Sequence, residues 1–154
     1  MARARFDIID VISDLLQAEQ SGVFHFLAEA DPYINRAAAD IRRPLQDMIA
    51  ATTRRETELV TLLDQLGTTP KPIAVAPENQ YLAYLSIDFL LPKFREAKLR
   101  SIAAYEKALR LVGDENPTAA ALLSAHLKEH CAEIQTLDHG LAELDAVKFA
   151  ATPA

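Results

Sequence analysis

The residues in this sequence that could do chemistry interrupt apolar stripes on four predicted helices. In each helix the apolar residues recur at alternating steps of three and four, which is the spacing of a packed helix face. Near the middle of each helix, polar residues take stripe positions instead. These residues are Glu19, Thr52, Arg55, Arg95, Lys98 and His130. Because mid-helix positions meet at one level of a helix bundle, we expect them to form a buried polar cluster.

A charge buried in such a cluster needs a partner. Leaving a carboxylate or a guanidinium unpaired in an apolar core costs several kcal/mol. We therefore expect Glu19 to be buried and paired with at least one of Arg55, Lys98 and His130.

The elements that position these residues are all helices. The pattern predicts them over residues 7–30, 36–66, 80–113 and 117–146. Pro44 predicts a late start or a kink in the second helix, and Pro92 predicts that the third divides into a short piece, 80–91, and a longer one. Gly67 stands where a C-terminal glycine cap belongs.

The connections predict how the helices assemble. Those between the first two helices and the last two are short, whereas the proline-rich linker 68–79 is long enough to traverse most of a bundle. The predicted fold is all-α, an antiparallel four-helix bundle with one long crossover between the second and third helices. Residues 1–146 form its single domain, and residues 147–154 are expected to be a frayed tail.

Composition excludes several classes of function. A formal net charge of -6 disfavours nucleic-acid binding. No apolar run approaches the roughly 18 residues that a membrane span needs. The single cysteine, Cys131, cannot make an internal disulfide, and a small buried or half-buried thiol is expected there. A cytoplasmic location follows by default.

The position of the polar residues resembles the ferritin-like superfamily, the bundles of ferritins and rubrerythrins. Those bundles hold two irons at mid-height with Glu side chains and Glu-x-x-His motifs. Glu19 and His130 match this pattern. The other ligand positions are changed: Thr52 and Arg55 replace one Glu-x-x-His, and Leu127 replaces the Glu before His130. In the third helix, Phe94 or Arg95 stands where a Glu is wanted.

The resemblance therefore implies a bundle with a degenerate di-iron site. We expect no cofactor and a non-catalytic structural or protein-interaction role. The alternative is an iron-storage or oxidase-type protein whose metal centre uses carboxylates from the flanks of the stripes. Its ligands would come from a set made of Glu19, Glu56, Glu96, His126, Glu129, His130 and Glu133.

His126 and His130 stand four residues apart and could bind zinc or iron, as the histidines of hemerythrin-like bundles do. Hemerythrins use several further histidines, and only His25 and His139 remain, far from the helix centres. The competing interpretation makes His130 a hydrogen-bonded core histidine and places His126 at the rim.

An aromatic and apolar patch surrounds Pro92. A single helix face cannot bury all of it, so either the linker 68–79 covers the surplus or the patch is a dimer or partner surface. We expect a homodimer. The patch residues are Tyr81, Tyr84, Phe89, Leu90, Leu91 and Phe94.

Overall fold

The computed structural model describes residues 2–22, 24–25, 41–69 and 87–151. Within these ranges the regular structure is four long α-helices and no strand, which confirms the all-α prediction. The helices are α1 (Ala2–Ser21), α2 (Arg42–Gln65), α3 (Ile87–Val112) and α4 (Pro117–Ala151).

Helix α1 differs from its predicted bounds, 7–30. It begins at Ala2 and ends at Ser21, followed by a bend at Gly22. Phe24 and His25 are helical again, and the His25 N–H donates to the Gly22 carbonyl at 3.1 Å. The predicted continuous helix is therefore wrong at Gly22, where a residue without a side chain favours an interruption. Residues 26–30 lie outside the described ranges.

Helix α2 starts at Arg42, so that Pro44 falls in its first turn, where a missing N–H costs nothing. The late start predicted from Pro44 is confirmed. At the other end Gly67 has φ 84°, and the Thr68 N–H donates to the Leu63 carbonyl at 3.1 Å. This is the Schellman cap that the glycine predicted. Residues 36–40 lie outside the described ranges.

Helix α3 runs through Pro92 without a break, so the predicted division there is wrong. Proline removes one backbone hydrogen bond from the helix. Leu90, Leu91 and Phe94 flank it and are all fully buried, and their packing holds the helix on either side. Residues 80–86 of the predicted helix lie outside the described ranges.

Helix α4 starts at the predicted residue. The Asn116 side chain caps it by accepting the Ala119 N–H at 3.0 Å, and Pro117 opens the first turn. The helix continues to Ala151, beyond its predicted end at residue 146. Residues 152–154 lie outside the described ranges.

Among the described residues, the core consists of two apolar clusters at opposite ends of the bundle. The Phe94 cluster contains Phe24, Ile41, Leu45, Met48, Leu90, Leu91, Phe94 and Leu137. The Leu59 cluster contains Ile8, Ile12, Leu15, Leu16, Leu59, Leu62, Leu63, Tyr105, Ala108, Val112, Ala119 and Leu123.

The membership of these clusters fixes the direction of each helix. The Leu59 cluster joins residues 8–16 of α1 and the first half of α4 to the second halves of α2 and α3, whereas Phe24, which follows α1, belongs to the other cluster. Helices α1 and α4 therefore run one way, and α2 and α3 run the other. The end of α2 and the start of α3 lie at opposite ends of the bundle, as the predicted crossover requires. The path of the linker itself lies outside the described ranges.

The patch around Pro92 is only partly a surface. Leu90, Leu91 and Phe94 are fully buried within the Phe94 cluster, so the predicted partner surface is wrong for these three residues. Phe89 is 56% exposed, with the Lys93 ammonium over its ring. Tyr81 and Tyr84 lie outside the described ranges. Within the described part of the chain, no helix is both long and apolar enough to span a membrane.

Candidate functional site

A layer of polar side chains separates the two apolar clusters. Each of the four helices contributes to it, because each stripe turns polar at the same height. We call this the polar layer. It consists of Glu19 from α1, Thr52 and Arg55 from α2, Lys98 and Tyr105 from α3, and His126, Glu129, His130 and Glu133 from α4.

Glu19 is at the centre of the polar layer. Its Oε1 atom accepts hydrogen bonds from His130 Nε2 at 2.7 Å, the Tyr105 hydroxyl at 3.0 Å and Arg55 Nε at 3.2 Å. Those three donors come from three different helices. Through this one carboxylate, α1 is therefore tied to α2, α3 and α4.

The environment keeps Glu19 ionised. Burial by itself would raise the pKa of this carboxyl, but the hydrogen bond and charge of His130 and the charges of Arg55 and Lys98 outweigh it. The pKa of Glu19 falls from 4.5 to about 2. The sequence predicted a buried, paired Glu19, and the structure places it at 7% exposure beside those partners.

Arg55 is fully buried, and each of its three nitrogens contacts an oxygen. Nη1 donates to Glu129 Oε2 and to Glu133 Oε1, both at 3.0 Å. Nη2 donates to Thr52 Oγ1 at 3.2 Å and lies 3.4 Å from Glu133 Oε2. With the Nε contact to Glu19, these bonds use all five N–H groups of the guanidinium.

Lys98 is the second buried cation. Its ammonium contacts Glu133 Oε2, lies 3.2 Å from His130 Nδ1, and stands 4.3 Å from the centre of the Phe24 ring. Burial and the nearby charge of Arg55 lower the pKa of Lys98, whereas Glu133 and Glu19 act in the opposite direction.

His130 lies between these groups as a neutral ring. Its Nε2–H donates to Glu19, and its Nδ1 accepts from the Lys98 ammonium, which can donate hydrogen bonds but cannot accept them. We assign this tautomer from the network. Burial and the charges of Lys98 and Arg55 lower the pKa of His130, which agrees with the neutral form.

A second histidine extends the layer towards the surface. The Tyr105 hydroxyl lies 3.1 Å from His126 Nδ1, and its single hydrogen is directed to Glu19, the stronger acceptor. On the other side, His126 Nε2 lies 3.4 Å from Glu58 Oε2. The contact with Tyr105 needs the hydrogen on Nδ1 and the contact with Glu58 needs it on Nε2, so the two compete for the one N–H of the neutral ring. Burial lowers the pKa of His126.

The rim of the layer is more exposed. Arg54 contacts Glu58 and Glu129, two carboxylates whose side chains are each 33% exposed. Separately, His25 Nδ1 lies 2.7 Å from Glu56 Oε1, and burial raises the pKa of Glu56.

Two clefts lead to the polar layer from opposite sides. One, of about 570 Å³, lies between α1 and α3 and is lined by Glu19, Lys98 and His130, among others. The other, of about 510 Å³, lies between α2 and α4 and reaches Glu129 and Glu133. A small solute can therefore approach the layer from solvent.

Five of the six residues predicted to form the buried polar cluster do so, and one does not. Glu19, Thr52, Arg55, Lys98 and His130 come together. Arg95 does not, so its prediction is wrong: its side chain is 42% exposed and pairs with Asp138 at 2.5 Å on the surface. It stands on the same face as Lys98, one turn away, and a long arginine side chain can turn towards water from there.

The structure also shows which residues of the alternative metal site belong to the polar layer. His126 is fully buried, so its predicted place at the rim is wrong. Glu129 and Glu133 join the layer, whereas Glu96 is exposed and Glu56 pairs with His25 instead. His139 pairs with Glu143 on the surface, and Cys131 is partly buried, as expected.

Tyr105 is the member that the sequence analysis missed. It stands seven residues after Lys98 on the same stripe, so its position was readable. An aromatic ring on an apolar stripe fits a packed core equally well, and the ring of Tyr105 indeed belongs to the Leu59 cluster. Only its hydroxyl reaches the polar layer.

These residues do not fit the di-iron centre that the resemblance to ferritin-like proteins implies. Helix α2 supplies Thr52 and Arg55, neither of which is a usual iron ligand. The oxygens of Glu19, Glu129 and Glu133 are already engaged by Arg55 and Lys98. Among the described residues, no group of three or more His, Cys, Asp or Glu side chains is arranged to hold a metal ion.

A solved structure has a similar fold. It is described as a crystal structure of "ferritin like, diiron-carboxylate proteins" from Bacillus anthracis str. Ames, and it superposes with a TM-score of 0.75 over 92% of this chain and 99% of that chain. The two sequences are 18% identical, a level at which the likeness shows the fold alone. The predicted ferritin-like bundle is confirmed. No family model matches the sequence, and no curated protein is significantly similar to it.

Proposed function

We propose that this ferritin-like bundle is a non-catalytic structural or protein-interaction domain of the cytoplasm, closed at its centre by ion pairs. The observation that carries this proposal is Arg55. Its guanidinium is fully buried, and its five N–H groups are directed at Glu19, Thr52, Glu129 and Glu133. A group held by so many bonds is positioned to join helices rather than to move during a reaction.

The electrostatics support the same role. Glu19, Glu129 and Glu133 carry three negative charges, and Arg55 and Lys98 carry two positive ones, so the five groups sum to −1 when both histidines are neutral. The pKa of Arg55 is raised by these carboxylates against the effect of burial, and that of Glu19 is lowered. Both groups therefore remain charged at neutral pH and offer no proton to a substrate.

The test is the metal content and oxidase chemistry of the protein purified without chelator. We expect well under one iron or zinc per chain by elemental analysis. We also expect that adding the protein to aerobic Fe²⁺ leaves the rate of ferric ion formation unchanged. About two irons per chain, or faster Fe²⁺ oxidation, would contradict the proposal.

The alternative is a metal protein of iron-storage or oxidase type. Two observations favour it: the similar solved structure is described as a diiron-carboxylate protein, and Glu19, Glu129, Glu133 and His130 converge within one layer. For this alternative to hold, the ion pairs of Arg55 and Lys98 would have to open for metal. The same metal analysis decides between the two.

We also propose that the domain is a homodimer. Support comes from three large apolar side chains on the outside of α3, namely Phe89, Leu99 and Leu111, which are 56%, 44% and 59% exposed. Light scattering after gel filtration should give twice the chain mass of 17.0 kDa. Phe89→Ser should shift the protein towards monomer, whereas a monomeric wild type would contradict the proposal.

A further inference from the structure

Two stripes of residues flank the cleft between α1 and α3 and extend beyond it along both helices. Within the cleft they begin with Ala18 and Ser21 of α1 and with Lys93, Glu96 and Arg100 of α3. Steps of three, four and seven residues stay on one side of a helix, so these positions define the rest of each stripe. The α1 stripe consists of Asp7, Val11, Asp14, Ala18 and Ser21, and the α3 stripe consists of Phe89, Lys93, Glu96, Arg100, Lys107 and Leu111.

The two stripes have opposite charge. The α1 stripe contains two aspartates and no base, so its formal charge is −2. The α3 stripe contains three bases and one acid, so its formal charge is +2. All six charged residues are exposed, and none of them makes an ion pair within the ranges that the structure describes. This side of the bundle, which we call the α1/α3 face, therefore presents an acidic helix beside a basic one.

We propose that the α1/α3 face binds the same face of a second copy of the chain, with the α1 stripe of each subunit against the α3 stripe of the other. The inference rests on the homodimer of the proposed function and names its interface. A twofold axis along the cleft, parallel to the helices, produces this arrangement, because half a turn about it carries α1 of one subunit opposite α3 of the other. The two contacts are then equivalent, as in any twofold dimer.

The residues that would meet lie at one height. The Leu59 cluster contains buried residues from 8–16 of α1 and from 105–112 of α3, so these segments are level with each other. An axis parallel to the helices keeps every residue at its own height. Because α1 and α3 are antiparallel, Asp14 comes close to Lys107 of the partner subunit. Val11 comes close to Leu111 of the partner subunit, whose 59% exposure falls on dimerisation.

Charge excludes the other simple twofold arrangement. An axis across the helices would place each stripe against its own copy, α3 on α3 and α1 on α1. The two α3 stripes would then meet with a charge of +2 each, and the two α1 stripes with a charge of −2 each. Like charges set against each other across an interface cost affinity. The proposed arrangement makes both contacts attractive instead.

The α1/α3 face is large enough for a stable dimer. At about 1.5 Å per residue, the α3 stripe is about 33 Å long from Phe89 to Leu111, and the α1 stripe is about 21 Å long from Asp7 to Ser21. With a width of about 10 Å for each helix, the face covers roughly 550 Å² per subunit. The total of roughly 1,100 Å² exceeds the ~1,000 Å² that a specific interface needs. The dimer would also cover the cleft that leads to the polar layer.

Charge reversal tests the arrangement. The full chain is compared with an α1 variant, Asp7→Lys/Asp14→Lys, and an α3 variant, Arg100→Glu/Lys107→Glu. In either variant alone, both contacts of the dimer become repulsive. The dimer dissociation constant should therefore rise roughly 100-fold or more, which light scattering after gel filtration measures over a range of protein concentrations.

Mixing the two variants gives the most specific result. The basic stripe of the α1 variant then faces the acidic stripe of the α3 variant, and their unchanged stripes face each other as in the wild type. A one-to-one heterodimer should form with an affinity close to that of the wild type. Native mass spectrometry distinguishes it by mass from both homodimers, and its formation shows that both variants are folded.

Matched controls carry the same changes of charge on α2. Asp47→Lys/Asp64→Lys and Arg42→Glu/Arg43→Glu alter exposed residues there, and both should remain dimeric. Dissociation of a control to the same extent would overturn the inference. So would an α1 variant that stays dimeric while the α3 variant is monomeric, because that result is expected if α3 pairs with α3.

The salt dependence of the wild type provides a test that needs no variant. Its dimer dissociation constant should rise at least about tenfold between about 0.05 and 0.5 M NaCl, because salt screens exposed pairs of charges. A dimer that salt does not weaken would overturn the inference.

The outcomes separate the interface from the homodimer itself. If the wild type is monomeric, the homodimer of the proposed function fails, and the interface fails with it. If the wild type is dimeric and neither charge-reversed variant dissociates, the homodimer stands and the assigned interface is wrong.

Discussion

The Leu59 cluster and the polar layer occupy neighbouring heights of the same four helices, and they stabilise the bundle in different ways. In the Leu59 cluster, side chains such as Leu59 and Leu63 are fully buried among apolar neighbours, and their contacts have no required direction. In the polar layer, Glu19 Oε1 accepts from three donors, and each donor has further partners. Losing one member there changes the charge or hydrogen bonding of several others.

This difference bears on how the two regions respond to substitution. Truncating one leucine removes apolar burial and leaves a cavity, and the effects of distant truncations are nearly additive. Truncating one member of the polar layer strands a buried charge. Replacing the whole layer by apolar residues of similar volume can be neutral or stabilising. We therefore expect strong coupling in the polar layer and weak coupling in the apolar clusters.

The largest expected effect is that of Glu19→Ala. It removes the carboxylate that pairs with Arg55, and breaking a buried pair in this way costs roughly 3–5 kcal/mol. The free energy of unfolding, measured by chemical denaturation, should fall by that amount. Glu143→Ala is the control, because Glu143 is 51% exposed and pairs only with a surface histidine. Equal denaturation midpoints for the two variants would mean that Glu19 is solvated in the native protein.

The next effect is the acid dependence of stability. The pKa of Glu19 is about 2 in the folded protein and 4.5 in its ordinary state. A carboxyl whose folded pKa is depressed stabilises the fold fully above the unfolded pKa and loses that contribution as pH falls. The wild type should therefore lose on the order of 3 kcal/mol between pH 4.5 and pH 2 that Glu19→Gln does not lose.

Denaturant titrations of both proteins across pH 2–7 provide the measurement. The lowered pKa values of His126 and His130 also reduce stability below about pH 6.5. The loss from His126 is shared by the two proteins, whereas the loss from His130 is larger in Glu19→Gln, because Glu19 raises the pKa of His130. Parallel curves below pH 4.5 would contradict the depressed pKa of Glu19.

A smaller effect should follow from Tyr105→Phe. The ring belongs to the Leu59 cluster and the hydroxyl to the polar layer, so this substitution removes only the polar contribution. Glu19 loses one of three donors, and His126 Nδ1 loses its partner. We expect a loss of about 1–3 kcal/mol, because a buried polar group is left without its hydrogen bond.

Thr57→Val is the control for that substitution, since the Thr57 hydroxyl is exposed and donates only to the Thr53 carbonyl. Nitrogen NMR of His126 should also show a changed tautomer balance in Tyr105→Phe. An unchanged His126 spectrum would contradict the hydrogen bond between Tyr105 and His126.

Part of the polar layer could be predicted from the sequence. Spacing alone placed Glu19, Arg55 and Lys98 at one height, because helix periodicity assigns each residue to a face whatever its polarity. The same rule placed His130 correctly but failed for other positions of α4. Leu127 and Ile134 are only partly buried, whereas His126 and Gly140 are buried. Alanine and leucine occur on several faces of that helix, so its pattern did not distinguish one stripe from the next.

Side-chain length and packing explain the other errors. Arg95 follows the stripe spacing, but its long side chain reaches Asp138 on the surface. Proline inside a helix usually breaks or kinks it, but the burial of Leu91 and Phe94 on either side of Pro92 keeps α3 continuous. Which residues pair within the polar layer depends on the directions of side chains from all four helices. The spacing along one helix does not contain that information.

The smallest expected effect lies at Gly140, where α4 contacts Ile41. A Cβ atom built on Gly140 would stand 2.7 Å from Ile41 Cδ1, the far end of a flexible side chain. Gly140→Ala should gain about 1 kcal/mol from helix propensity. It should lose about 1–3 kcal/mol through crowding of Ile41. The net change in the free energy of unfolding should therefore lie between about zero and a loss of about 2 kcal/mol.

Ile41→Val removes the crowding atom, so Gly140→Ala should become more favourable in that background. The coupling between the two substitutions, taken from a double-mutant cycle of denaturation measurements, should be about 1 kcal/mol. The corresponding cycle for Glu19→Ala with Arg55→Ala should be several times larger, because each single variant there strands a charge that the double variant does not. If the apolar pair couples as strongly as the charged pair, the contrast between the Phe94 cluster and the polar layer is wrong. A weak coupling at Gly140 beside a strong one at Glu19 would locate the structural specificity of this bundle in its charged centre.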